Sequence, residues 1–228
     1  MLTTQQHDDA VVARWDDGGV NAVNHDTLAG LGRTLDDAVE AGLPLVILGR
    51  DRILSSGFDL KIFEQGMKAT ADLVEAGARL LHRMVSAPVP IIIGSTGHAV
   101  AMGALLLMAA DRRVGVDGRF KVGLNEVAIG MGLPRFAVTL AEDRLSRRHL
   151  LTATAFARVY TPAEAVDAGY LDAVVDAGEL ETAVMAEAAA AAKLHRGAFA
   201  ATKARVRGPL ADRLDAAIFA DRTDLAGD

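Results

Sequence analysis

Apolar residues follow two rhythms along the chain. Short unbroken runs bounded by glycine, proline or charge mark buried strands at residues 11–15, 44–48 ("PLVIL"), 91–94 ("IIIG") and 113–116, with a further candidate at 171–175. A turn over residues 16–19 ends the first. Between the strands the spacing becomes helical. Leu28, Leu31 and Leu35 share a face and predict a helix capped by Asp26 or Thr27 and stopped by Gly42. Leu73, Leu80, Leu81 and Met84 predict another over 73–85, bounded by Pro88 and Pro90, with a flexible link before it at 66–70. Residues 97–110 open as a small-residue turn and become an apolar helix. Helices are predicted at 142–153, 162–168 and 179–194, and from Phe199 a charged helical tail carries Lys203, Arg205, Arg207, Arg213 and Arg222, read as a solvated face. Strand and helix units come first and helices follow, which is the pattern of an α/β core with a helical C-terminal part.

Composition narrows the classes. The chain has 228 residues, 51% of them hydrophobic, and only 4% aromatic, enough for one large core packed from small and aliphatic side chains. A net charge of −6 argues against nucleic acid as partner. With no cysteine there is no disulfide framework and no thiolate metal site, and the six histidines lack metal-ligand spacing. The first residues do not read as a secretion signal, and no apolar run reaches the ~18 residues of a membrane span. A cytoplasmic location with no membrane contact is expected.

Two turns and one acid carry the candidate chemistry. Each turn follows a buried strand and leads into a helix: "LSSGFDLK" at 54–61 and "GHAVAMGALLL" at 97–107. A helix start exposes free N–H groups and a partial positive charge, so two such turns side by side can aim two donors at one oxygen. Such joints are common in α/β proteins and by themselves select no function. The acid is Glu126, alone in "GLNEVAIGMGLP" (123–134) among Leu124, Val127, Ile129 and Met131. Desolvation there would raise its pKa, which suits a base and acid working near neutrality as well as a carboxylate kept for structure. His98 reads as a hydrogen-bonded structural histidine, Ser95 as a turn residue, and Asp59 and Asp111 as caps or partners of Arg112 and Arg113.

These stretches, in this order, resemble the crotonase, or enoyl-CoA hydratase/isomerase, superfamily. Asn21-Ala22, Leu54-Ser55-Ser56-Gly57-Phe58-Asp59-Leu60, Gly97-His98-Ala99-Val100-Ala101-Met102-Gly103 with Asp111 and Arg113, and Gly123, Glu126, Gly130 and Pro134 match its motifs from about residue 10 to about 175. The resemblance implies a spiral of strand–strand–helix units, here taken as a core of residues 1–190, with residues 191–228 forming a helical region used for trimerisation. It implies that the N–H groups of Phe58 and Met102 form an oxyanion hole for an acyl-CoA thioester, with Glu126 as acid and base. Ser56, Gly57, Asp59, Leu60 and Lys61 would line the coenzyme A path, Lys61 meeting a phosphate, with Gly103 and Leu105 beside the acyl group.

The departures from the family pattern also matter. The family's hydratases carry a second glutamate where this chain has Leu105, and its isomerases share the apolar residue there and "GLNE" at 123–126. Ala101 and Met102 stand where glycines are usual. The reading is an enoyl-CoA double-bond isomerase of fatty acid metabolism. It uses coenzyme A thioester as substrate, needs no cofactor or metal, and assembles as a homotrimer or hexamer. A non-catalytic acyl-CoA-binding protein, or a hydratase or thioesterase on the same fold, remains the alternative.

Overall fold

A computed structural model describes residues 1–226. A short edge strand, β1 (Leu2–Gln6), pairs antiparallel with β2 (Val11–Trp15). Four strand–strand–helix turns then follow. The first is β2, β3 (Ala22–Val23) and α1 (His25–Ala41). The second is β4 (Leu45–Leu48), the short pair β5 (Arg52–Ser55) and β6 (Gly57–Phe58), and helices α2 (Leu60–Phe63) and α3 (Met67–Ser86). The third is β7 (Ile91–Ser95), β8 (Gly97–Val100) and α4 (Met102–Ala109). The fourth is β9 (Arg112–Val116), β10 (Val122–Gly123) and α5 (Arg135–Arg144). The first strand of each turn joins a six-stranded sheet in the order β1-β2-β4-β7-β9-β11, parallel beyond β1, with β11 (Ala173–Val175) closing its far edge. The second strands form two small parallel sheets, β10-β8-β5 and β3-β6. Helices α6 (Leu150–Ala153) and α7 (Pro162–Ala168) precede β11, and α8 (Leu180–Ala192) and α9 (Arg196–Ala226) follow it.

The large sheet is covered on both faces, which is why its strands read as continuous apolar runs. Val11, Ala13, Leu45, Ile47, Ile91 and Ile93 face the main core with α1, α3 and α4, while Val12, Val46, Leu48 and Ile92 face Leu180, Val184 and Ala188 of α8. Consecutive residues therefore serve opposite layers, as the two-residue period of a strand requires.

Several local expectations change. Asn24, rather than Asp26 or Thr27, caps α1, its side chain accepting the Thr27 N–H at 2.9 Å. The link expected at 66–70 is the start of α3: Gly66, at φ 109°, turns the chain sharply, and Lys68 pairs with Asp72 one helical turn on at 2.6 Å. The helix expected over 142–153 is two. Here α5 begins at Arg135 because the Asp221 carboxylate of α9 accepts the N–H groups of Arg135 and Phe136 at 2.9 and 3.0 Å. It ends at Leu145, where the backbone turns extended. No local pattern announces a cap supplied from that distance. The boundary placed at 190/191 falls inside α8, and the last two residues of the segment 191–228 lie outside the described residues.

The largest correction concerns the basic tail. Its face with Lys203 and Arg207 is buried, α9 packing on α3 and α5 of its own chain through Leu210, Leu214 and Ile218. Lys203 Nζ lies 2.6 Å from Asp111 Oδ2 and donates to the Val89 carbonyl at 3.1 Å. Arg207 Nη1 lies 3.3 Å from Asp111 Oδ1 and donates to the Ala109 and Ala110 carbonyls at 3.0 and 3.2 Å. Asp111 therefore pairs with the tail and not with Arg112 and Arg113, whose partners are Glu187 and Asp172. Burial pulls the Lys203 ammonium below its ordinary pKa, against the attraction of Asp111. Removing the only carboxylate these two cations share leaves two buried positive charges uncompensated. Asp111→Ala is expected to lose about 3–5 kcal/mol of unfolding free energy in urea denaturation; a loss below about 1 kcal/mol would show that the pair does not hold α9 to the core.

Candidate active site

The first turn is held from behind by Asn21. It is fully buried, and its side-chain amide donates to the Trp15 carbonyl at 2.7 Å and the Leu54 carbonyl at 3.1 Å, tying the end of β2 to β5. Ser55 Oγ donates to the Asn21 carbonyl at 2.7 Å and accepts the Gly57 N–H at 3.1 Å. Asp59 N–H donates to the Val23 carbonyl at 2.9 Å across β3–β6. Successive N–H groups of a parallel strand point to opposite edges, so the Phe58 N–H points away from β3. The Asp59 carboxylate then caps α2, accepting the Lys61 N–H at 3.1 Å, as the sequence led one to expect.

The second turn meets the first. Ala101 N–H donates to the Gly123 carbonyl at 3.0 Å, and the first bonds inside α4 run from Ala104 and Leu105 to the Ala101 carbonyl. Met102 is the first residue of α4, so its N–H precedes that ladder and is free for a ligand. Contact between the turns is close enough to demand glycine. A Cβ on Gly57, at φ 106°, would lie 2.8 Å from Ala101 Cβ and 3.6 Å from Met102 N, and one on Gly103 would lie 2.7 Å from the Ser55 carbonyl oxygen. The donors of Phe58 and Met102 therefore belong to touching segments.

Glu126 arrives from the other side. It follows β10 and opens a single 3₁₀ turn, Val127–Ile129. Its Oε2 atom is buried and has no hydrogen-bond partner among the described residues. Burial raises its pKa above the ordinary glutamate value, while the backbone N–H groups of Glu126 and Asn125 draw it back. The dry surroundings are not those the sequence suggested: Leu124 is buried, but Val127 is exposed and Ile129 is 55% exposed.

These parts surround a cavity of about 490 Å³. Ser56, Phe58, Asp59, Leu60, Lys61 and Glu126 of the expected site residues line it. Gly57, Met102, Gly103 and Leu105 do not; they are buried behind it, and Leu105 is only 2% exposed, inside the main core. The expectation that Gly103 and Leu105 flank the acyl group is thus corrected: Gly103 serves packing against Ser55, and Leu105 fills the core. Val20, Phe63, Ala101, Asn125 and Met131 also line the cavity; no periodicity marks them, since they come from four separate turns. His98 accepts the Lys121 N–H at 3.0 Å and stacks edge-on against Phe120, a structural histidine held below its ordinary pKa by burial and by Lys121 and Arg52. Ser95 is buried at the end of β7 and donates to the Gly97 carbonyl at 3.3 Å. Among the described residues no helix is long and apolar enough to cross a membrane.

A spiral of strand–strand–helix units with two touching turns and a carboxylate beside them defines the crotonase class of fold. The sequence model of the enoyl-CoA hydratase/isomerase family matches residues 14–226, and the chain belongs to that family. It is similar to an enoyl-CoA hydratase/isomerase family protein of Pseudomonas syringae, 39% identical over 98% of this chain and 97% of that one, with a TM-score of 0.96. The apo enoyl-CoA isomerase of Mycobacterium tuberculosis is 35% identical, covers 100% of this chain and 98% of its own, and superposes with a TM-score of 0.90. A probable enoyl-CoA hydratase of Bacillus subtilis is 35% identical over 52% of this chain. The matched stretches span 47% and 57% of the first curated relatives, about half their length.

Ala101 is the strained member of the site, at φ 50° and ψ −122°, a region that side chains rarely occupy. Ala101→Gly is expected to raise the unfolding free energy by about 1 kcal/mol, against the usual direction for a glycine. A loss of stability on denaturant titration would mean that the Ala101 methyl contributes more by packing than its backbone costs.

Proposed function

We propose that the protein is an enoyl-CoA double-bond isomerase in which Glu126 moves the proton. The observation that supports this most is the single buried carboxylate, Glu126, set against a cavity lined by the turn that carries the Phe58 N–H, with the Met102 N–H on the touching segment. In the proposed reaction the thioester oxygen of a 3-enoyl-CoA accepts both N–H groups. The Glu126 carboxylate takes a proton from C2, the electron pair of that C–H bond moves into a C2–C1 double bond, and the carbonyl becomes an enolate whose charge rests on the two donors. As the enolate collapses, the C2–C3 double bond forms, the old C3–C4 π pair takes the proton back from the Glu126 carboxylic acid at C4, and nothing is gained or lost overall. One residue suffices because the same carboxyl group acts first as base and then as acid. A pKa raised by burial keeps both forms within reach near neutrality.

Water addition asks for more: a water to activate and a carbon to protonate. Leu105, in the core, offers no second carboxylate for it, and Asp59, already engaged as a helix cap, and Glu64, exposed at the mouth, are poorly placed. A second reading, acyl-CoA binding without turnover, is favoured by Ala101, whose methyl lines the cavity where the two donors meet. Coenzyme A enters in either case as part of the ligand and no cofactor is invoked. Lys61, exposed on α2 at the cavity edge, is proposed to meet a phosphate of the nucleotide end. The reading extends to assembly as a homotrimer or hexamer. Since α9 is covered by its own chain, the surface offered for assembly is the outward set Leu151, Phe156, Val206 and Phe219; light scattering that returns a monomer mass at micromolar concentration would remove this part.

Glu126→Gln keeps the shape and removes the base. Isomerase turnover is expected to fall at least ~100-fold with acyl-CoA binding retained. Turnover equal to the parent's would contradict the role of Glu126, and binding without turnover in the parent itself would favour the second reading.

A further inference from the structure

Two of the buried side-chain polar atoms without a hydrogen-bond partner among the described residues lie in one neighbourhood: Glu126 Oε2 and Tyr170 Oη. Tyr170 follows Gly169, the left-handed cap of α7, and is fully buried. Its ring packs on that of Tyr160 at 5.8 Å. Tyr160 in turn exchanges both backbone hydrogen bonds with Val122, at 2.9 and 2.8 Å, on the strand that leads to Glu126 four residues later. The phenolic oxygen faces the Leu124 backbone and is near enough to Glu126 for the carboxylate's charge to act on it. Burial holds the phenol well above the ordinary tyrosine range, so the hydroxyl keeps its proton and remains a donor near neutrality. A phenylalanine would fill the same space without stranding a hydroxyl in the core.

We propose that Tyr170 is a positioning residue for Glu126, its hydroxyl donating, directly or through one buried water, to Oε2 and so leaving Oε1 to exchange the substrate's proton. The proposal rests on the reading of Glu126 as the base. A donor to the ionised form stabilises that form and lowers the carboxyl pKa, opposing the rise caused by burial. Other titratable groups stand further along the row. Tyr160 Oη meets His149 Nδ1 at 3.3 Å, and His149 Nε2 meets Asp167 at 3.2 Å. Arg158 lies over the Tyr160 ring at 4.9 Å and pairs with Glu164 at 2.9 Å. Across the cavity Glu126 faces Asp59, Lys61 and Glu64.

The test is the pH profile of isomerisation in Tyr170→Phe. The acid limb of kcat/KM, which reports ionisation of the base, should move up by about 0.5–1 pH unit, with the thermal midpoint unchanged. An acid limb that stays in place overturns the proposal. A second measurement needs no variant at Tyr170. The chain has only two tyrosines, so 3-fluorotyrosine incorporation gives two fluorine resonances. One should step at the pH of the acid limb and lose that step in Glu126→Gln; two resonances without such a step overturn the proposal even if Tyr170→Phe does not fold. Full turnover in Glu126→Gln would instead overturn the base reading itself, and the proposal with it.

Discussion

The site depends on the distance between two turns of backbone. One precedes Phe58 and the other opens α4, and they approach until Gly57 and Gly103 have no room for a side chain. That contact sets the separation of two N–H groups before any ligand arrives. Donors fixed in this way need no reorganisation when charge develops on an oxygen between them, which is the source of their advantage over water. Asn21 and Ser55 hold the first turn through buried hydrogen bonds, and Gly123 holds the second through the Ala101 N–H. The fold is in this sense a support for one short backbone-to-backbone contact.

The second turn is also fixed from its far end. Eight apolar residues make up α4, all buried, and it cannot be placed by an amphipathic face because it has none. Its C-terminal carbonyls are instead taken by cations: Arg144 Nε donates to Met108 at 2.9 Å and its guanidinium also to Ala110, and Arg207 donates to Ala109. Positive charge there suits the helix dipole. The arrangement has a cost, since burial beside Arg207 and Arg113 pushes the Arg144 pKa down to about 10. The ion pairs of α9 with Asp111 thus position the helix whose first residue carries a proposed oxyanion donor.

The strands of the large sheet were legible because burial on both faces leaves unbroken apolar runs, and α1 and α3 because their apolar stripes are regular. Glu126 was legible because a lone acid in an apolar stretch needs a reason. What could not be read locally came from distant residues. The cap of α5 is Asp221, the buried partners of Asp111 are Lys203 and Arg207, and a charge run that looks solvated in sequence is a buried face in space. Leu105 matched a family position, but where that position points is a property of the packed helix. Tyr170 gave no sign at all, since an aromatic in an apolar stretch is ordinarily core.

If the two turns and Glu126 act together, one structure decides it: a crystal of the protein soaked with a medium-chain acyl-CoA. The account predicts the thioester oxygen at about 2.7–3.1 Å from both the Phe58 and Met102 nitrogens, with C2 facing the Glu126 carboxylate. A thioester bound in the same cavity with its oxygen away from either nitrogen would contradict it.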